Sequence, residues 1–236
     1  MSIHPLQIEE CATPTRGATV DGIVRAWVDG WVVSRGAAPP VVEPWGWTID
    51  NGTAAHVTRH VLAGTHDDVE EETVRKVAGA VTGAGVWLKV FADASRVAPC
   101  LGEGWWVDPE PGRLMTAPLG APEGPAATAP EGYRLRVWAR GGVIRAMVAA
   151  PDGSWAARGQ IAPTGRTAVV DQIETSASHR RRGLGTLVMR TLSRAAFEEG
   201  AEVGVLSGTP DGRALYASLG WTTVAPLTSA RFDGLR

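Results

Sequence analysis

The run Ser178-His179-Arg180-Arg181-Arg182-Gly183-Leu184-Gly185-Thr186 places three arginines and a hydroxyl around two glycines, and an apolar helical pattern follows at once. A strand, a short glycine-bearing turn and a helix start together expose unpaired N–H groups at the positive end of the helix dipole. Glycine lets the main chain approach a ligand without a Cβ in the way, and arginine adds charge that suits a phosphate or diphosphate. The chemistry offered is therefore anion binding. A P-loop does not fit, because no Gly-Lys-Ser/Thr follows and the only lysines are Lys76 and Lys89. A dinucleotide fingerprint does not fit either: Val188 holds the place of the third glycine.

The elements that must position this turn can be read around it. Upstream, "YRLRVWAR" and "VIRAMVAA" alternate on either side of Gly141-Gly142. "SWAARGQIAP" and "RTAVVDQIET" follow, separated by Gly165, to give a four-strand antiparallel meander. Downstream, Leu187, Val188, Leu192, Ala195, Ala196 and Phe197 recur at helical spacing up to Gly200, a helix of about 15 residues. "EVGVLSG" is a short buried strand, "GRALYASLG" a second helix, and "WTTVAPL" a last strand with "SARFDGL" as its expected partner. This order specifies an α/β (α+β) fold with a mixed, mostly antiparallel twisted sheet flanked by helices, and a parallel crossover at the Arg/Gly turn.

Thr116–Gly132, "TAPLGAPEGPAATAPEG", reads as a Pro/Ala/Gly-rich linker, so the expected organisation is residues 1–115, a linker at 116–132, and 133–236. The first part holds a faint copy of the second part's ending. "DDVEEETVRKVAGAVTGAG" reads as a helix, "VWLKVFA" as a strand, and "CLGEGWW" parallels the later "SLGW", which suggests an internal duplication. Before the first copy's helix stands "AGTHDD", with Asp67 and Asp68 where the second has arginines; acid there suits a helix N-terminus but repels a diphosphate. One anion site is expected, in the second half.

Composition narrows the classes. Of 236 residues, 23 are basic and 25 acidic, and the net charge of −2 gives no positive footprint for nucleic acid. Cys11 and Cys100 lie far apart without a ligand cluster and read as free buried thiols rather than a disulfide or metal site. No apolar run reaches a membrane span and no secretory leader is visible, so a cytoplasmic protein without a membrane partner is expected. The ten tryptophans, Trp45, Trp47, Trp105 and Trp106 among them, read as core fillers before pocket walls. Nothing in the sequence selects between monomer and homodimer.

Arg180 to Gly185 resembles the Q/R-x-x-G-x-G/A acyl-CoA motif of the GNAT (Gcn5-related N-acetyltransferase) superfamily. Ala214 to Trp221, "ALYASLGW", is similar to that family's second motif. The resemblance covers about Tyr133 to the C-terminus and is of the small-molecule type common in actinobacteria; residues 1–115 would be a degenerate GNAT-like copy. It implies acetyl-CoA as co-substrate, with main-chain N–H groups of Arg181, Arg182, Gly183, Leu184, Gly185 and Thr186 on the pyrophosphate and Arg180 beside them. Ile173 and Thr175, on the fourth strand of the meander, would pair with the pantetheine arm. It also implies Tyr216 as general acid toward the CoA sulfur and a carboxylate, Glu174 first and Asp171 second, as the base. With strict alternation those two carboxylates point to opposite faces, so at most one would serve. His179 reads as a solvent-facing neighbour of the phosphates, and Ser207 or Thr209 could hold the carbonyl or the acceptor. The acceptor expected is a small-molecule amine. Protein lysine acetylation and a non-catalytic acyl-CoA-binding module are the alternatives; neither nucleic acid nor metal is expected.

Overall fold

A computed structural model describes residues 20–121 and 124–235. Along the chain, α1 (Val20–Arg35) leads into β1 (Val41–Glu43), β2 (Gly46–Thr53) and β3 (His56–Leu62). Next come α2 (Glu71–Gly79), β4 (Val86–Val90), α3 (Ala94–Val97), β5 (Trp105–Val107) and β6 (Gly112–Pro118). The meander of β7 (Arg134–Arg140), β8 (Val143–Ala149), β9 (Trp155–Thr164) and β10 (Thr167–Thr175) precedes α4 (Leu184–Glu198), β11 (Val203–Gly208), α5 (Pro210–Ser218) and β12 (Thr222–Phe232). No helix among the described residues is long and apolar enough to cross a membrane.

All the strands belong to one sheet, in the order β1-β2-β3-β4-β12-β6-β11-β10-β9-β8-β7, with β5 on β12. Two parallel contacts interrupt an otherwise antiparallel ladder, β3 with β4 and β10 with β11, and a helix crosses over in each case. These are the two copies of one strand-helix-strand unit. The copies are joined by exchange: β6, from the first copy, pairs with β11, while β12, from the second, pairs with β4. Both strands meet in the middle of the sheet.

Two sequence-based expectations are corrected here. The linker does not begin at residue 116, because Thr116, Ala117 and Pro118 pair with Val205, Gly204 and Val203; the apolar strand runs on into the proline-rich composition. "SARFDGL" is not the partner of "WTTVAPL". No turn separates them, and β12 is one strand whose first part lies on β6 and whose last part lies on β4 and β5. The first copy's helix is also shorter than its pattern suggested, ending at Gly79 because Gly79, Gly83 and Gly85 follow in quick succession and Gly85 (φ +84°) turns the chain into β4. Cys11 lies outside the described residues; Cys100 is a buried free thiol.

Three apolar clusters fill the structure. Leu184, Val188 and Leu192 of α4 cover one face of β8–β10, and Val74, Val77 and Ala78 of α2 cover Leu88 and Val90. The cluster between them belongs to both copies, because Ile23, Trp27 and Trp31 of α1 pack with Val61, Phe91, Val169, Val205 and Leu227. Helix α1 can lie this close because Gly30 meets β10: a Cβ there would fall 2.3 Å from Val169 Cγ2. A glycine inside a helix costs about 1 kcal/mol relative to alanine, and close approach is what offsets that cost.

Candidate active site

Strands β10 and β11 pair from Thr167 with Val203 to Val170 with Leu206 and no further. Beyond that point β10 pairs only with β9, and β11 only with β6, so the two parallel strands part. The gap opens into a cavity of about 320 Å³ lined by Val170 to Ile173 on one side and Leu206, Ser207, Thr209 and Tyr216 on the other. Its remaining walls are Trp27, Trp31 and Arg35 from α1, Arg59 from β3, Lys89 from β4 and Leu227 from β12.

The Arg/Gly turn stands directly after β10. Gly183 precedes the helix in the left-handed conformation (φ +73°), and Arg181 shares it (φ +60°). A side chain at Gly183 would have open space, so the positive φ is what calls for glycine there; Gly185 answers a different need, since its Cβ would sit 3.0 Å from Leu215 Cδ2 and 3.7 Å from Thr175 Oγ1. Among the described residues, the N–H groups of Arg181, Arg182, Gly183, Leu184, Gly185 and Thr186 find no acceptor in the chain. Six adjacent free donors at the N-terminus of a 15-residue helix fit an anionic diphosphate. Arg180 reaches back to the Thr175 carbonyl (3.5 Å). His179 faces Tyr133, its Nδ1 lying 3.0 Å from the tyrosine hydroxyl, so it braces the turn rather than standing free in solvent.

Tyr216 is buried, its ring seated against two glycines: a Cβ on Gly208 or Gly212 would come within 2.9 Å or 2.6 Å of it. Its hydroxyl has no hydrogen-bond partner among the described residues. Burial, and secondarily the charge of Asp171, push its pKa up to about 12, so it stays protonated throughout the neutral range.

The two carboxylates sit differently from what alternation implies. Gln172 adopts φ +55° in a bulge, and the register moves from Asp171 opposite Gln160 to Glu174 opposite Arg158. Partners two residues apart on β9 share a face, so Asp171 and Glu174 lie on the same face; the expectation of opposite faces fails because the bulge absorbs one residue. Asp171 accepts from Arg35 Nε (2.5 Å) and NH2 (2.8 Å), Ser34 Oγ (2.7 Å) and its neighbour's N–H (2.9 Å). Gln160 Nε2 donates to Ser34 Oγ and O, extending the network into β9. Four donors occupy Asp171, which suits it to hold α1 against the bulge. Glu174 is exposed, accepts from Arg158 (2.9 and 3.1 Å), and lines a second, larger cleft of about 720 Å³ that shares Arg35 and Gln172 with the first. An exposed pair of this kind exchanges readily with solvent.

The family model for the acetyltransferase (GNAT) family matches residues 102–221, half of the chain. The chain belongs to the GNAT family. It is therefore an acyltransferase, as the turn and the downstream Tyr-bearing helix implied. No curated protein matches. Among solved structures, a GCN5-related N-acetyltransferase from Kribbella flavida is similar over 92% of this chain and 96% of its own, with a TM-score of 0.62 and 19% identity. A GNAT-family protein from Novosphingobium aromaticivorans has a TM-score of 0.54 at 18% identity, covering 90% of this chain and 97% of its own. A tandem GNAT protein from the clavulanic acid biosynthesis pathway has a TM-score of 0.50 at 14% identity, covering 93% and 98%. At these identities the likeness is one of fold, and the tandem case fits the two-copy architecture.

Within this GNAT chain, the structure brings together Tyr216, Asp171, Ile173, Ser207 and Thr209 around one cavity and sets Glu174 in the adjoining cleft. Trp45, Trp47, Trp105 and Trp106 line neither space; the tryptophans that do are Trp27 and Trp31 in the cavity and Trp138 and Trp155 in the cleft. The sequence reading also missed Arg35, Arg59 and Lys89. The signal for Lys89 was present, a lysine in the middle of "VWLKVFA", where a buried parallel strand otherwise holds only apolar residues.

Proposed function

We propose that this GNAT chain is an acetyl-CoA-dependent N-acetyltransferase acting in the cytoplasm, which moves an acetyl group directly to the amine of a small molecule such as an amino acid or an antibiotic-like metabolite. The reading is carried by one observation: where β10 and β11 part, a cavity of about 320 Å³ lined by Tyr216 opens beside β10, the strand that leads into the donor-rich turn. Residues 133–236 would form the catalytic half and residues 1–115 the degenerate copy that closes the site, with β6 and β12 exchanged between them.

Acetyl-CoA supplies the acetyl thioester. The N–H groups of Arg181 to Thr186 hold its diphosphate, Arg180, Arg181 and Arg182 add charge, and the free edge at Ile173 and Thr175 pairs with the pantetheine arm as an added strand would. As the amine nitrogen bonds the carbonyl carbon, the C–S bond breaks and the Tyr216 hydroxyl gives its hydrogen to the sulfur, to be reprotonated from solvent when the thiol leaves. Glu174 takes the amine proton through water and passes it to solvent. Asp171 holds Arg35 and the bulge in place and is a positioning residue in this scheme.

Release of free thiol from acetyl-CoA, measured over amino acids, polyamines, aminoglycosides and lysine peptides, tests the reading. Turnover of a small amine that falls in Tyr216→Phe while acetyl-CoA still binds supports it. A lysine peptide preferred over every small amine would favour protein acetylation, and acetyl-CoA binding without turnover of any acceptor would favour a non-catalytic module.

A further inference from the structure

We propose that the acceptor carries a carboxylate beside its amine, and that Arg59 and Lys89 receive that carboxylate. The proposal rests on the small-amine acetyltransferase reading and names its substrate class, a small amino carboxylate.

Three basic side chains line the 320 Å³ cavity, and among the described residues only Arg35 is paired with a carboxylate. Arg35 is paired with Asp171. Arg59 is 6% exposed and stacked 3.8 Å over the Trp31 ring, and its only hydrogen bonds among the described residues go to His56 Nε2, a neutral acceptor. Lys89 donates to Ser229 Oγ (2.7 Å) and lies 4.6 Å from the Trp87 ring. Among the described residues, no carboxylate comes within 4.0 Å of Arg59 or Lys89. Asp171 and Asp108 act on them only from a distance, and Asp171 is already held by Arg35. Burial first, then neighbouring arginines, push the pKa of both groups down, and an anion entering the cavity would supply the partner that their charged forms lack.

The two groups are placed to act together. Arg59 pairs across the parallel β3–β4 ladder with Trp87, and Lys89 with Val61, so they stand diagonally on one face of adjacent strands. Their common field shows in His56, whose pKa is brought down to about 3 by burial first and then by Arg59, Lys89 and Arg35. The cavity must also admit the thioester end of the donor, which leaves room for a molecule of amino-acid size. The same cations repel polyamines and aminoglycosides. Both come from the first copy, so the half without a donor turn would supply the acceptor's recognition.

The test uses the full chain and a carboxylate without an amine. Sodium propionate, compared with sodium chloride at equal ionic strength, should raise the melting temperature and shift the His56 imidazole resonances. Both effects should be lost in Lys89→Met and in Arg59→Gln; Lys89→Met replaces a buried amine that has no carboxylate partner and should fold at least as well as the parent. No propionate effect in the parent, or an effect that survives in both variants, would overturn the proposal. In the thiol-release assay, the best amino carboxylate should exceed its decarboxylated counterpart at least tenfold in kcat/KM, and Lys89→Met should bring that ratio toward one. Equal turnover of both compounds would sink the proposal and leave the acetyltransferase reading standing; propionate binding with no amine acetylated would leave an anion site at Arg59 and Lys89 but sink the acetyltransferase reading and, with it, the assignment of that anion to an acceptor. Preference for O-phosphoethanolamine over β-alanine would replace the carboxylate by a phosphate and overturn the assignment.

Discussion

The two strand-helix-strand copies differ most at the point where a helix begins. In the second, β10 runs into a turn with Gly183 and Arg181 at positive φ, six free N–H groups and α4. In the first, the chain after β3 passes through His66 (φ +51°), whose N–H and carbonyl are both used, by Phe91 and Arg96, and Asp67 is paired with Arg96 before α2 opens on Glu71 and Glu72. The parallel pairing is four residues deep in both. The β3–β4 core packs without a turn of free N–H groups, and Arg59 and Lys89 of that ladder line the cavity beside β10 and β11.

The largest expected effect on this contrast comes from Gly183→Val. A β-branched residue at φ +73° is strongly disfavoured, and the melting-temperature rise on adding acetyl-CoA should disappear while the unliganded protein still folds. A retained rise would place the donor elsewhere. Tyr216→Phe should lower kcat by about 10²–10⁴-fold with acetyl-CoA affinity close to the parent's; parallel loss of both would make the ring a packing residue only. The parent's rate should also show no loss from Tyr216 ionisation between pH 8 and 10, since its pKa is raised to about 12.

Smaller effects probe the seam between the copies. Gly30→Val should destabilise the chain by about 1–3 kcal/mol, because its Cβ would collide with Val169, and denaturant melts should show one transition, since α1 belongs to both cores. Two separated transitions would mean the copies are independent. His56 is held neutral by burial and by Arg59, Lys89 and Arg35, with a pKa near 3 against the ordinary 6.5. Its contribution to stability is therefore present above pH 6.5 and is lost as the pH falls toward 3. His56→Gln should flatten that acid limb, and an identical limb in the variant would remove His56 as its cause.

Much of the second half was legible in the sequence, because its signals are local. Gly141-Gly142 and Gly165 mark hairpins, the apolar spacing from Leu187 to Phe197 marks α4, and Arg180 to Gly185 marks the turn. What stayed hidden is non-local. Strands β6 and β12 have ordinary strand patterns, and nothing within them encodes that each pairs across the other copy. The bulge at Gln172 reverses a parity argument that is sound for a regular strand, since one extra residue moves Glu174 onto the face of Asp171. Trp31, Arg59 and Lys89 come together from α1, β3 and β4, three elements that converge only after the sheet is assembled. Asp67 and Asp68, which the sequence pattern put at the helix start, lie instead in a separate turn at His66–Asp68, and the acids in the first turn of α2 are Glu71 and Glu72.

Calorimetric titration of the full chain with acetyl-CoA, parent beside Gly183→Val, tests the central claim most directly. One molecule bound per chain in the parent and none in the variant is the expected result. Two molecules per chain, or undiminished binding to the variant, would contradict a single donor site at the turn before α4.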